Sequence, residues 1–124
     1  MQLMYIRKTA VFLFLVLLCI WPEVSLGHAF PDHADPRVGA TVTNSPTQVR
    51  IWFSGALEPA FCTIVVQDTN GKRVDKGDGH VTPSDVTLLE VSLPQLSPGL
   101  YHVIWNVVAR DGHPTVGDYS FVIK

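Results

Sequence analysis

From His28 to Lys124 the apolar residues recur with a period of two, and no window carries helical spacing long enough for three helical turns. A chain patterned this way folds into strands that each bury one face. Val49-Arg50-Ile51-Trp52-Phe53-Ser54 sets Val, Ile and Phe against Arg, Trp and Ser, and Phe61 to Gln67 is a β-branched run that ends in Asp68-Thr69-Asn70-Gly71. That Asn-Gly pair predicts a tight hairpin turn of type I′, in which both central residues take positive φ. Val86 to Leu93 gives a further strand closed by Pro94, and Ser97-Pro98-Gly99 turns into the longest one, Leu100 to Ala109. Tyr101, Val103, Trp105 and Val107 share a face of that strand, and Tyr119, Phe121 and Ile123 share a face of Asp118 to Ile123; both sets read as core. Gly112, Pro114 and Gly117 mark the connection between these two strands. About seven short strands separated by turn signals predict an all-β, Greek-key sandwich or barrel.

The first 27 residues follow a different rule. Arg7 and Lys8 precede an uncharged apolar run, Ala10 to Trp21, and then come Pro22, Glu23 and the small residues of Ser25-Leu26-Gly27. This is the pattern of a secretory signal peptide with cleavage expected between Gly27 and His28. The run is shorter than the ~20 residues that span a bilayer, so an uncleaved anchor is the weaker reading, and no stable membrane insertion is expected after cleavage. The expected organisation is a signal peptide at 1–27 and one exported domain at 28–124. Removing Arg7, Lys8 and Glu23 leaves 7 basic and 10 acidic residues, which gives no electrostatic footprint for nucleic acid. Both methionines, Met1 and Met4, and Cys19 lie in the signal, so Cys62 is left without a disulfide partner inside the chain.

Residues 28–124 contain no Gly-rich phosphate loop, no Gly-x-Ser-x-Gly, no His-Glu-x-x-His and no Cys-x-x-Cys. Cys62, inside an apolar strand, reads as a buried inert thiol, and Glu58 and Glu90 sit in unrelated segments. Five histidines remain: His28, His33, His80, His102 and His113. Cleavage after Gly27 would make His28 the first residue, and an N-terminal histidine closes a chelate ring on one metal ion through its α-amine and its imidazole. The amine can be unprotonated near neutrality, because its reference pKa is about 7.7 to 8.0. Arg110-Asp111-Gly112-His113-Pro114 supplies a carboxylate and an imidazole two residues apart, which extended backbone would turn to one side. By itself this is also an ordinary polar turn. Two nitrogens from His28, one from His113 and an oxygen from Asp111 form a square N,O set that suits Cu(II) better than zinc.

His28-Ala29-Phe30, Pro36-x-x-Gly39-Ala40, the Val49 to Ser54 strand, the Gly71-Lys72 turn and above all Pro98-Gly99-Leu100-Tyr101-His102-Val103-Ile104-Trp105-x-Val107-Val108-Ala109-x-Asp111-Gly112-His113-Pro114-x-x-Gly117-x-Tyr119-Ser120-Phe121 resemble the CopC family of bacterial copper resistance proteins. The resemblance spans residues 28 to 124. It implies a seven-stranded Greek-key barrel of cupredoxin or immunoglobulin type that binds one Cu(II) per chain through His28, Asp111 and His113. It also implies a periplasmic carrier in copper resistance, homeostasis or uptake, working beside a CopD-type inner-membrane protein, and not an enzyme. Some relatives carry a Met-rich loop for Cu(I); residues 28–124 hold no Met, so no separate Cu(I) site is expected, and His80 has no thioether neighbours in sequence. His33 reads as a solvated histidine or an auxiliary ligand, and His102 as pointing away from the interior. Two other readings remain open at this point: a small copper-dependent oxygenase, which would also begin with a chelating histidine, and a β-sandwich interaction module without a metal. An anionic ligand such as Asp111 stabilises Cu(II) and favours carriage over redox turnover.

Overall fold

The computed structural model describes residues 28–124; the expected signal peptide, 1–27, lies outside the described residues. Eight strands follow one another: β1 Pro31–Asp35, β2 Thr41–Val42, β3 Gln48–Phe53, β4 Thr63–Gln67, β5 His80–Thr82, β6 Asp85–Ser92, β7 Gly99–Val108 and β8 Pro114–Ile123, with a 3-10 turn at Pro59–Phe61 before β4. They form two four-stranded sheets, ordered β1-β3-β6-β5 and β2-β8-β7-β4. All pairs are antiparallel except β2 with β8. This is a two-sheet sandwich of cupredoxin or immunoglobulin kind, and the expected count of seven strands is corrected to eight among the described residues. The two sheets do not join into a closed barrel there: β1 and β5 edge one sheet, β2 and β4 the other.

The alternation read from the sequence fills the space between the sheets. β3 buries Val49, Ile51 and Phe53, β7 buries Tyr101, Val103, Trp105 and Val107, and β8 buries Tyr119, Phe121 and Ile123. Trp105 meets Phe53 edge to face at 5.2 Å between ring centroids, and Tyr101 stacks on Phe121 at 5.8 Å. Both tyrosine hydroxyls donate to main-chain carbonyls, Tyr101 to Ser97 at 2.6 Å and Tyr119 to Pro36 at 2.9 Å, so neither phenol leaves an unpaired polar group in the core.

Three local expectations need correction. Phe61 belongs to the 3-10 turn and is exposed, with the strand starting at Thr63, because Pro59 opens a turn of helix that delays the extended run. The Asn70-Gly71 turn is not type I′: no non-glycine among the described residues has positive φ, so within the turn only Gly71 does, at 76°; its N–H donates to Asp68 O, and the Asp68 N–H donates to Lys72 O. That is a type I turn closed by a glycine bulge, held further by Asp68 Oδ1, which accepts from the N–H groups of Asn70 and Lys72. Gly117 is not part of a connection, because β8 already begins at Pro114 and Gly117 sits opposite Trp105 in the ladder. A Cβ on Gly117 would fall well inside contact distance of Trp105 Cζ2, so the indole occupies the place a side chain would take. Gly117→Ala is therefore expected to lower the unfolding free energy by about 1–3 kcal/mol through overpacking, measured by denaturant titration. An unchanged midpoint would show that Trp105 can move aside freely.

Candidate metal centre

The turn between β7 and β8 repeats the construction of the Asp68–Lys72 turn. The N–H of Gly112 donates to Ala109 O at 2.8 Å, the N–H of Ala109 donates to His113 O at 3.0 Å, and Gly112 takes φ 90°. Only glycine holds that conformation without strain, which explains Gly between Asp and His. Asp111 and His113 converge because of this turn and not, as extended backbone would have it, because alternate strand residues share a side. The N–H of His113 donates to Asp111 Oδ1 at 3.0 Å and ties the carboxylate over the turn. That hydrogen bond holds the Asp111 carboxyl below the ordinary carboxylate range; slight desolvation opposes it, and the imidazoles of His113 and His28 add to it.

His28 comes to the same place from the other end of the chain. Its ring lies 4.4 Å from the His113 ring, centroid to centroid, at an interplanar angle of 85°. One ligand atom each from His28, Asp111 and His113 lies within 4.8 Å of the others, with His28 and Asp111 exposed and His113 half-buried. Ligands about 2 Å from a shared ion lie within roughly 4 Å of one another, so side-chain shifts on the order of 1 Å would close the set on a metal. His113 Nδ1 is shielded from solvent and lies 3.2 Å from Asp111 Oδ1, in a geometry that makes no full hydrogen bond to it. A buried ring nitrogen left without a partner is costly in a native structure, and a cation between it and the carboxylate would remove that cost.

The other histidines stay apart from this cluster. His33 pairs with Asp32 at 2.9 Å and stacks flat on Trp52. The Nδ1 of His80 lies 2.8 Å from Asp78 O and its Nε2 lies 3.3 Å from Glu90. His102 points outward from β7 to the Ser120 hydroxyl at 2.7 Å. Cys62 is buried, burial pushes its thiol pKa up, and its Sγ–H faces Glu58 O at 3.1 Å, which agrees with an inert role. Two hydroxyls not singled out in the sequence touch the segment that carries His28: Ser54 Oγ accepts from the Phe30 N–H at 3.1 Å, and Thr115 Oγ1 donates to Ala29 O at 2.9 Å.

The sequence profile of the CopC domain matches residues 32–124. The chain belongs to the CopC family. Among curated relatives, it is 34% identical over 112 residues to copper transport protein CutJ of Bacillus subtilis, a match covering 90% of this chain and 20% of CutJ. The chain thus spans about a fifth of the length of that relative. It is 33% identical over 98 residues to protein YobA of Escherichia coli, covering 78% of this chain and 79% of YobA. Among solved structures, CopC from Methylosinus trichosporium OB3b superposes with a TM-score of 0.73 at 33% identity, over 78% of this chain and 94% of that one. PcoC of Escherichia coli, described as a methionine-rich copper resistance protein, shares the fold at a TM-score of 0.66 and 24% identity, over 79% of this chain and all of PcoC.

For this CopC-family chain, the causes that depress Asp111 can be separated. His113→Ala keeps the N–H that is the main cause and removes an imidazole that adds to it. The Asp111 carboxyl is therefore expected to titrate somewhat higher than in the wild type yet still below an ordinary aspartate, followed by NMR of the side-chain carboxyl carbon. Because the folded pKa is depressed, the stability linked to this group is present above its unfolded pKa of about 3.9 and is lost as pH falls through the folded value. A return to the ordinary aspartate value in His113→Ala would assign the effect to the imidazole instead.

Proposed function

We propose that this chain is a periplasmic Cu(II) carrier that serves copper resistance, homeostasis or uptake, and that it binds one Cu(II) through His28, Asp111 and His113. Residues 1–27 act as the export signal, and their removal converts the His28 nitrogen from an amide into an amine that completes the equatorial set. The observation that carries this reading is the unpartnered His113 Nδ1, 3.2 Å from the Asp111 carboxylate and next to the His28 ring. Membership of the CopC family supports it, as does the match to a relative whose name is copper transport protein.

The chemistry of the donor set favours Cu(II) in particular. Two imidazoles, an amine and a carboxylate are the N,O ligands of a tetragonal Cu(II) site, and copper tops the divalent affinity order. An anionic ligand in the plane stabilises the oxidised ion and works against the redox cycling that an oxygenase needs. The chain carries metal and catalyses nothing. His28 is exposed and the His113 side chain is 43% exposed, so an acceptor can reach these ligands from solvent without unfolding the sandwich. A CopD-type inner-membrane protein is the acceptor we propose, on the family resemblance. Residues 28–124 offer no thioether, and the ring nitrogens of His80 face Asp78 O and Glu90, which supports a single Cu(II) site with no Cu(I) site beside it.

Titration of the chain beginning at His28 should give one tight equivalent of Cu(II). His113→Ala and Asp111→Ala should each weaken it and change the electron paramagnetic resonance spectrum, while His80→Ala and His102→Ala leave both within about twofold of wild type. Loss of binding in His80→Ala with His113→Ala unaffected would refute the ligand assignment. Affinity should also fall as pH drops from ~7 to ~5, because the amine and imidazoles must shed protons to bind. Asp111, held below the ordinary carboxylate range, stays ionised across that window and contributes nothing to the slope. A flat profile there would exclude histidine and amine ligation.

A further inference from the structure

The segment that carries His28 is anchored at its very next residue. Ala29 is 0% exposed and belongs to the hydrophobic core, whereas His28 and Phe30 on either side of it face solvent. Hydrogen bonds then take up the main-chain groups on both sides of this plug. Ser54 Oγ accepts from the Phe30 N–H at 3.1 Å and donates to His28 O in a longer contact of 3.3 Å. This uses its acceptor and its donor at once, as a hydroxyl can. The Ser54 N–H donates to Phe30 O at 2.8 Å, and Thr115 Oγ1 donates to Ala29 O at 2.9 Å. Thr115 lies two residues beyond His113 in the chain, so one clasp grips the segment beside the turn that bears the other two ligands.

We infer that Ser54 and Thr115 are positioning residues for copper: their hydroxyls hold residues 28–30 so that His28 meets Asp111 and His113 before the ion arrives. The inference rests on the copper reading above. Neither hydroxyl reaches a proposed ligand atom; Ser54 Oγ meets His28 only at its main-chain oxygen. Their effect is to leave His28 tethered to a fixed point by a single peptide unit, about 3.8 Å from Cα to Cα, so its imidazole and its nitrogen search only a small volume. An unanchored N-terminal residue would have to be ordered at the moment of binding, and the affinity would bear that entropy.

Ser54→Ala removes one hydroxyl, Thr115→Val removes the other at constant shape, and Thr115→Ser restores it. On chains beginning at His28, each loss is expected to weaken Cu(II) by roughly tenfold to a hundredfold against a competing chelator, with Thr115→Ser returning to within about threefold of wild type. A purely structural role would lower the melting temperature and leave a second readout unmoved. That readout is taken without metal: nuclear Overhauser contacts between the His28 and His113 rings, and protection of the Phe30 amide from hydrogen exchange, both expected to weaken in Thr115→Val and Ser54→Ala. His113→Ala is measured in parallel. If it weakens copper while Ser54→Ala and Thr115→Val bind within twofold of wild type and keep the ring contacts, the clasp is refuted and the copper site stands. If His113→Ala binds as wild type does, the copper reading itself falls and the clasp with it.

Discussion

The ladder between β7 and β8 is the constraint on which the rest of the molecule depends. Ten residue pairs run without a break from Gly99 opposite Ile123 to Val108 opposite Pro114. Side chains alternate with a period of two, so a slip of one residue would expose Tyr101, Val103, Trp105 and Val107 together and bury His102 and Asn106 in their place. Gly117 fixes the register more tightly still, since only a residue without a side chain fits opposite the Trp105 indole. A ladder held this firmly delivers its closing turn at one place, and that turn is Arg110-Asp111-Gly112 with His113 behind it. The accuracy of two of the three proposed ligands is thus inherited from core packing between the sheets.

The third proposed ligand residue arrives by a different route. His28 is brought to the turn by β3 and the segment before β1, through Ala29 in the core and the main-chain pairs between Phe30 and Ser54. The centre therefore forms where the two sheets meet at one end of the sandwich. Its exposure suits cargo that must be handed on, because ligands at a surface can be exchanged where ligands in a core cannot. Its electrostatics suit a cation: a carboxylate kept ionised by a main-chain N–H faces a ring nitrogen with nothing else to bond.

Strands that alternate strongly were legible from residue order alone, as in β3, β7 and the far half of β8. The short strands were not. β1 reads Pro-Asp-His-Ala-Asp and buries almost nothing, β2 has two residues, and β5 has three, so each is defined by its neighbour's hydrogen bonds and leaves no pattern of its own. Glycines were the least transparent. Gly71 marked the right turn of the wrong type, since Asn70 keeps a negative φ, and Gly117 read as a connection although its role is to make room for Trp105 across the ladder. Asp111 and His113 were found as a spacing, but their convergence comes from a glycine bulge that a two-residue alternation argument does not contain. Ser54 and Thr115 contact the His28 segment only through main-chain atoms more than twenty residues away, and such contacts have no signature in a single sequence.

The central claim is that the nitrogen of His28 binds copper as a free amine. Two chains that differ by one residue test it: one beginning at His28, the other at Gly27 so that the same nitrogen is locked into a peptide bond. Every side chain of the candidate set is present in both. Competition against a chelator of known Cu(II) affinity should find the tight site only in the chain that starts at His28, with the two chains unfolding at the same temperature. Equal affinities would contradict the account and confine the site to side chains alone.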